Sequence, residues 1–188
     1  MFTERQALPA LARTAIEVAL DARPAGGGPQ LAGTDDADWL QVKAASFVTL
    51  TQQGQLRGCM GTLAAHRPLI EDVQHNAVSA ALHDPRFAPL NAAELCRTAV
   101  EVSVLSAPEA LPFDCEADAL ARLRPGVDGI VLEYGRLRST FLPQVWEQLP
   151  RASDFLFQLK RKAGLPGDFW HDSLRLQRYT VDKYLETA

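Results

Sequence analysis

The β-forming runs of this chain come in close pairs across short glycine-bearing turns, and this spacing restricts the fold more than any other feature. Ala45 through Thr51 is rich in β-branched and aromatic residues, Gln52-Gln53-Gly54-Gln55 supplies a turn, and Leu56 through Thr62 resumes the extended pattern. Ile130 through Tyr134 and Leu137 through Leu142 repeat the arrangement over Gly135, after a turn at Gly126-Val127-Asp128-Gly129. Parallel neighbours need a long crossover, so runs this close are antiparallel hairpins. The expected class is α+β, with a largely antiparallel or mixed sheet and packed helices, in preference to a doubly wound fold.

The helical segments are set by apolar spacing and by stop residues. Leu8, Leu11, Ala12, Ala15, Ile16 and Ala19 predict an amphipathic helix over residues 5–22. Pro24 through Pro29, with three glycines between, reads as a flexible surface loop; it lacks the strand-turn-helix setting of a phosphate loop. Pro68 suits a first helical position, and Leu69, Ile70, Val73, Ala77, Ala80 and Ala81 predict a second helix that stops near His83-Asp84-Pro85. Asn91 with Glu94 has capping-box spacing. In the strand Ala99–Leu105 the valines share one face and Glu101, Ser103 and Leu105 the other. A short helix is expected over Asp118–Leu123, and another begins at Pro143. A third spans Asp154–Lys162 with Ser153 as N-cap, and a last β segment covers Leu174–Val181. Residues 106–117, with Pro108 and Pro112, read as a long connection more than a domain boundary, so residues 1–188 are taken as one domain.

Composition excludes some functions. Apolar residues at 47% and charged residues at 22% are ordinary globular usage, and a net charge of −4 argues against a duplex DNA binder. No run approaches the 18 apolar residues of a membrane span and the N-terminus has no signal-peptide pattern, so a cytoplasmic protein is expected. Cys59, Cys96 and Cys115 lack CxxC spacing and read as reduced thiols, with Cys96 and Cys115 as packing residues. His66, His75, His83 and His171 have no metal-ligand spacing, so no metal is expected, and no motif names a cofactor.

The run Leu56-Arg57-Gly58-Cys59-Met60-Gly61-Thr62 carries the chemistry. Strict alternation puts Arg57, Cys59 and Gly61 on one face, where a guanidinium favours the thiolate and Gly58 and Gly61 allow close approach. Asp84-Pro85-Arg86-Phe87, stiffened by Pro85 and Pro89, either presents Arg86 to an anion or is locked by an internal Asp84–Arg86 pair. Glu101 is a candidate base or arginine partner for Cys59 across neighbouring strands, and Gln144 can offer an amide to a ligand beside Phe141 and Trp146.

These segments, with Gly126 through Ile130, Thr140 through Trp146 and Lys162-Ala163-Gly164-Leu165, follow the order seen in the AMMECR domain family, which the chain resembles over almost its whole length. Its prokaryotic members are called AmmeMemoRadiSam system protein A. Met60 in place of the usual isoleucine and the Gly26–Gly28 loop depart from the pattern. The resemblance implies a larger and a smaller lobe with the Arg-Gly-Cys segment near a cleft between them. It also implies an association with Memo-like and radical S-adenosylmethionine proteins, and it places family expectation on Arg57, Cys59, Thr62, Asp84, Arg86 and Gln144 without assigning a reaction. Three functions stay open: a small-molecule enzyme or enzyme component with Cys59 reactive and Arg57 and Arg86 holding an anionic ligand; a nucleotide- or RNA-binding module; and a non-catalytic partner or scaffold.

Overall fold

The structure, a computed structural model, describes residues 7–20 and 38–186. The chain divides into two compact units, the first made of the residues up to Leu105 and from Asp182 onward, the second of Ser106–Val181. The division falls at the start of residues 106–117, which the sequence presented as a connection more than a boundary; a strand over Glu109–Leu111 and the start of a helix at Glu116 lie within that stretch.

In the first unit, helix α1 (Leu8–Ala19) carries the predicted apolar stripe. Residues 5, 6, 21 and 22 of the expected helix, and the Gly/Pro run, lie outside the described residues. A short helix α2 (Asp38–Gln41), which the sequence pattern did not reveal, precedes β1 (Ala45–Gln52) and β2 (Gln55–Gly61). Helix α3 (Leu69–Leu82), the short helix α4 (Ala92–Leu95) and β3 (Ala99–Leu105) follow as expected, and the Asn91/Glu94 capping box is formed in full. The four-stranded sheet has the order β2-β1-β3-β8, its last member being the C-terminal strand β8 (Val181–Leu185). The valines of β3, with Val48 and Leu50 of β1, bury against Leu8, Leu11 and Ile16 of α1 and Val73, Ala77 and Ala80 of α3. Both helices thus cover one face of the sheet, as a half-apolar sheet requires.

The second unit contains β4 (Glu109–Leu111), α5 (Glu116–Arg122), β5 (Gly129–Tyr134), β6 (Leu137–Phe141), a 3₁₀ turn (Pro143–Glu147), α6 (Ala152–Lys162) and β7 (Arg175–Tyr179). Its sheet runs β4-β7-β5-β6, with antiparallel pairings throughout. Phe155 of α6 stacks on Trp146 with ring centres 3.8 Å apart, and both pack with Ile130, Leu132 and Leu176.

Several elements differ from expectation: the helix expected over Asp118–Leu123 runs Glu116–Arg122, and the helix expected from Pro143 is the 3₁₀ turn. Ser153 lies inside α6; Arg151 is the N-cap position, with its guanidinium on Asp154. The single closing β segment is two strands in different sheets: Thr180 breaks the run by exchanging hydrogen bonds with Ser106, after which β8 joins the first sheet. Among the described residues no helix is long and apolar enough to cross a membrane.

Candidate functional site

Strand β2 is an edge strand, paired only with β1 within its sheet. Cys59 stands opposite Thr49, whose hydroxyl lies 3.5 Å from the half-buried sulfur. The register passes from Leu50 opposite Gly58 to Thr51 opposite Leu56, leaving Arg57 as the extra residue of a β-bulge. A bulge interrupts the period of two and re-aims the side chain that it carries. The regular pairing expected along this run is therefore interrupted at Arg57. Its guanidinium donates to Glu94 at 3.2 Å and lies over the Phe87 ring at 5.9 Å. The Asn91 N–H, followed by Arg57, holds the Glu94 carboxyl below its ordinary range.

The guanidinium that bonds the cysteine segment belongs to Arg86. As the outer residue of an edge strand, Cys59 directs its N–H and C=O away from β1, and both groups need partners. The Cys59 N–H donates to Asp84 Oδ2 at 2.9 Å, and the Cys59 carbonyl accepts from an Arg86 terminal nitrogen at 3.3 Å. Asp84 and Arg86 are themselves joined twice, Nε to Oδ1 at 2.9 Å and the terminal nitrogen to Oδ2 at 2.7 Å. The pair thus takes the place of a neighbouring strand at one residue. Arg86, with help from the Cys59 and Arg86 N–H groups, holds the nearly buried Asp84 carboxyl far below the ordinary range against the opposing effect of burial. The internal pair and the presented arginine coexist, since the Arg86 side chain remains 54% exposed.

Gly58 and Gly61 have packing partners. A Cβ at Gly58 would lie 2.2 Å from the Ala80 carbonyl oxygen, and one at Gly61 would lie 2.3 Å from the Phe47 ring. Their bare backbones let α3 and Phe47 close on the strand. Thr62 donates to Asp72, a carboxylate 1% exposed that also accepts from Ser46 and Asn76 and pairs with Arg67 at 3.3 Å. Asp72 and Asn76 escaped the sequence reading; their i, i+4 spacing on a face otherwise apolar was the available signal.

Glu101 is placed differently from the expectation. β1 lies between β2 and β3, and Thr49 is opposite both Cys59 and Glu101. Glu101 is therefore two strand spacings from Cys59, about 10 Å, and pairs with Lys183 at 3.7 Å. Gln144 is exposed in the 3₁₀ turn of the second unit. Cys96 and Cys115 are exposed, not packed, because they sit at the end of α4 and the start of α5. Among the described residues no group of three or more His, Cys, Asp or Glu side chains is arranged to hold a metal ion.

The AMMECR1 family profile matches residues 9–184, and the chain belongs to that family. A protein of Methanothermobacter thermautotrophicus is 39% identical over 97% of this chain and 94% of its own length, and one of Thermofilum pendens is 33% identical over 95% and 87%. The crystal structure of an uncharacterized protein from Pyrococcus horikoshii superposes with a TM-score of 0.74 at 31% identity, covering 95% of this chain and 89% of that one.

Proposed function

We propose that this AMMECR1-family chain is a small-molecule enzyme, or a component of one, with Cys59 as the reactive group and Arg86 as the contact for an anionic substrate. The observation that carries the reading is the Asp84–Arg86 clamp: it fixes the backbone of Cys59 from both sides while the thiol stays half-buried and the guanidinium half-exposed. A fixed thiol beside a cation with spare donors is the arrangement that nucleophilic chemistry on an anion requires. Thr49 is positioned to orient the sulfur, and Glu101 serves beyond it as a carboxylate on the same face. The resemblance adds Memo-like and radical S-adenosylmethionine proteins as partners, tested by co-purification from a native source.

The test uses the Cys96→Ser/Cys115→Ser protein, in which Cys59 is the remaining thiol. Iodoacetamide should label Cys59 in the folded protein, and Arg86→Ala should slow labelling by the anionic iodoacetate by about tenfold, because the exposed guanidinium draws its carboxylate toward the thiol. A Cys59 that stays unlabelled, or equal rates with and without Arg86, overturns the reading.

A second reading rests on Phe87, which has Arg57 at 5.9 Å and Arg86 at 5.5 Å. Guanidinium groups around an aromatic ring suit a nucleotide or single-stranded RNA. Salt-sensitive binding of an RNA oligonucleotide that weakens in Phe87→Ala, with Cys59 unreactive, would favour it.

A further inference from the structure

A cavity of about 260 Å³ opens at the tip of the β1–β2 hairpin, lined by Gln52, Gln53, Gln55, Leu56, Arg57 and Arg97. We propose that it is a binding site for a small oxyanion, a phosphate or carboxylate carried on a polar body. This pocket does not contain Cys59, Asp84 or Arg86 in its lining, and the inference does not depend on a reactive thiol.

Charge supports an anion. The protein carries −4 overall, yet two guanidinium groups and no carboxylate line this cavity. Glu94 bonds Arg57 and feels the positive charge of Arg97, so the cluster holds two cations against one anion. The Arg97 side chain is exposed and lines the cavity. Planar guanidinium groups match the paired oxygens of carboxylate and phosphate.

The remaining lining supports a polar body on that anion. Three primary amides supply both donors and acceptors, and the half-exposed Leu56 supplies one apolar wall. The Gln52 amide nitrogen is held by the Thr98 hydroxyl at 3.0 Å, which fixes its plane before any ligand arrives. Gln53 occupies the left-handed region at φ +51°, followed by Gly54 at +77°. Such two-residue turns favour asparagine or glycine, so a long glutamine here keeps an amide at the rim despite the strain. The volume lies just below the usual range for small-molecule sites, about 300–1,000 Å³, as a small anion requires.

The test is calorimetric titration of the intact protein at low ionic strength with inorganic phosphate and, separately, with citrate. Saturable one-site binding of either probe is expected, with phosphate or citrate preference naming the source of the oxyanion. Arg97→Ala should weaken it about tenfold or more, and Gln55→Leu should weaken it less. Arg97 and Gln55 are exposed residues, and Arg151→Ala, outside the lining and exposed, should leave the affinity unchanged. Amide spectra should shift at Gln52–Arg57 and Arg97. Absence of saturation with both probes, unchanged affinity in Arg97→Ala, or shifts confined to the Asp84–Arg86 loop overturn the proposal. The iodoacetamide result is read separately, so failure of one inference leaves the other standing.

Discussion

Replacing Asp84 by asparagine isolates the clamp on Cys59. The carboxylate accepts four N–H groups: Cys59 N at 2.9 Å and an Arg86 terminal nitrogen at 2.7 Å on Oδ2, Arg86 N at 3.1 Å and Arg86 Nε at 2.9 Å on Oδ1. An amide keeps one oxygen, so either the Cys59 N–H or the Arg86 groups must face an NH₂ donor. Losing a charge-assisted acceptor for a buried N–H costs about 1.5–3 kcal/mol. The half-exposed Arg86 pairing adds only about 0–1 kcal/mol because water screens it. The sum, about 3 kcal/mol, corresponds to roughly 6–12 °C in the melting temperature of a chain this size. Urea denaturation at pH 7 measures the loss, and hydrogen exchange at the Cys59 amide should accelerate. The folded Asp84 carboxyl lies below its unfolded value, so its contribution is complete above about pH 4 and fades as pH falls through the folded value. The gap between parent and variant should therefore narrow on acidification below pH 4. A cost under about 0.5 kcal/mol, with Cys59 exchange unchanged, would refute the clamp as the group that fixes this backbone.

Gly58→Ala should destabilise by about 2–3 kcal/mol, because the added carbon meets the Ala80 backbone oxygen and β2 must part from α3. Gly54→Ala, in open space but at positive φ, should cost about 1 kcal/mol, and equal costs in urea would contradict packing as the reason for Gly58. Thr62→Val removes a 2.7 Å donor to buried Asp72 and should cost about 2 kcal/mol by the same denaturation assay. Lys160→Met breaks the bonds of a nearly buried ammonium to Glu116 at 2.6 Å and to the Phe169 carbonyl at 3.0 Å. It should lower the melting transition of the second unit by about 1–3 kcal/mol while leaving amide exchange in α1 and α3 unaltered.

Local pattern made the hairpins, α1, α3 and the capping box readable, because each is fixed by spacing within a few residues. The second sheet was not separable from the first: β3 and β5 look alike in sequence, and which strand joins which sheet depends on contacts far apart along the chain. The break at Thr180 is a case in point, since its hydrogen-bonding partner, Ser106, is remote in sequence. At the site, residue types identified Arg57, Cys59, Asp84 and Arg86, but their pairing was hidden. Gly58 is the kind of residue that marks a bulge, but it does not say which neighbour is the extra one, and the pairing of Arg57 with Glu94 depends on a helix more than thirty residues further along the chain. Glu101 failed as a neighbour of Cys59 for the same reason: strand order is a tertiary property, and β1 lies between them.

The edge position of β2 connects these observations. An exposed edge invites another strand, and proteins commonly block it with bulges and charged side chains. Both devices are present here, the bulge at Arg57 and the Asp84–Arg86 pair at Cys59, and both sit in the segment with the thiol. Edge protection alone would be met by any charged side chain directed outward. It does not require a carboxylate that is nearly buried and four times hydrogen-bonded, nor an arginine that spans from that carboxylate to a backbone carbonyl. That surplus of constraint at one residue fixes the position of the Cys59 backbone, and with it the origin of the thiol side chain. For this reason the loss of order at Cys59 in Asp84→Asn should exceed the loss at Met60, whose side chain packs on the core side of the same strand.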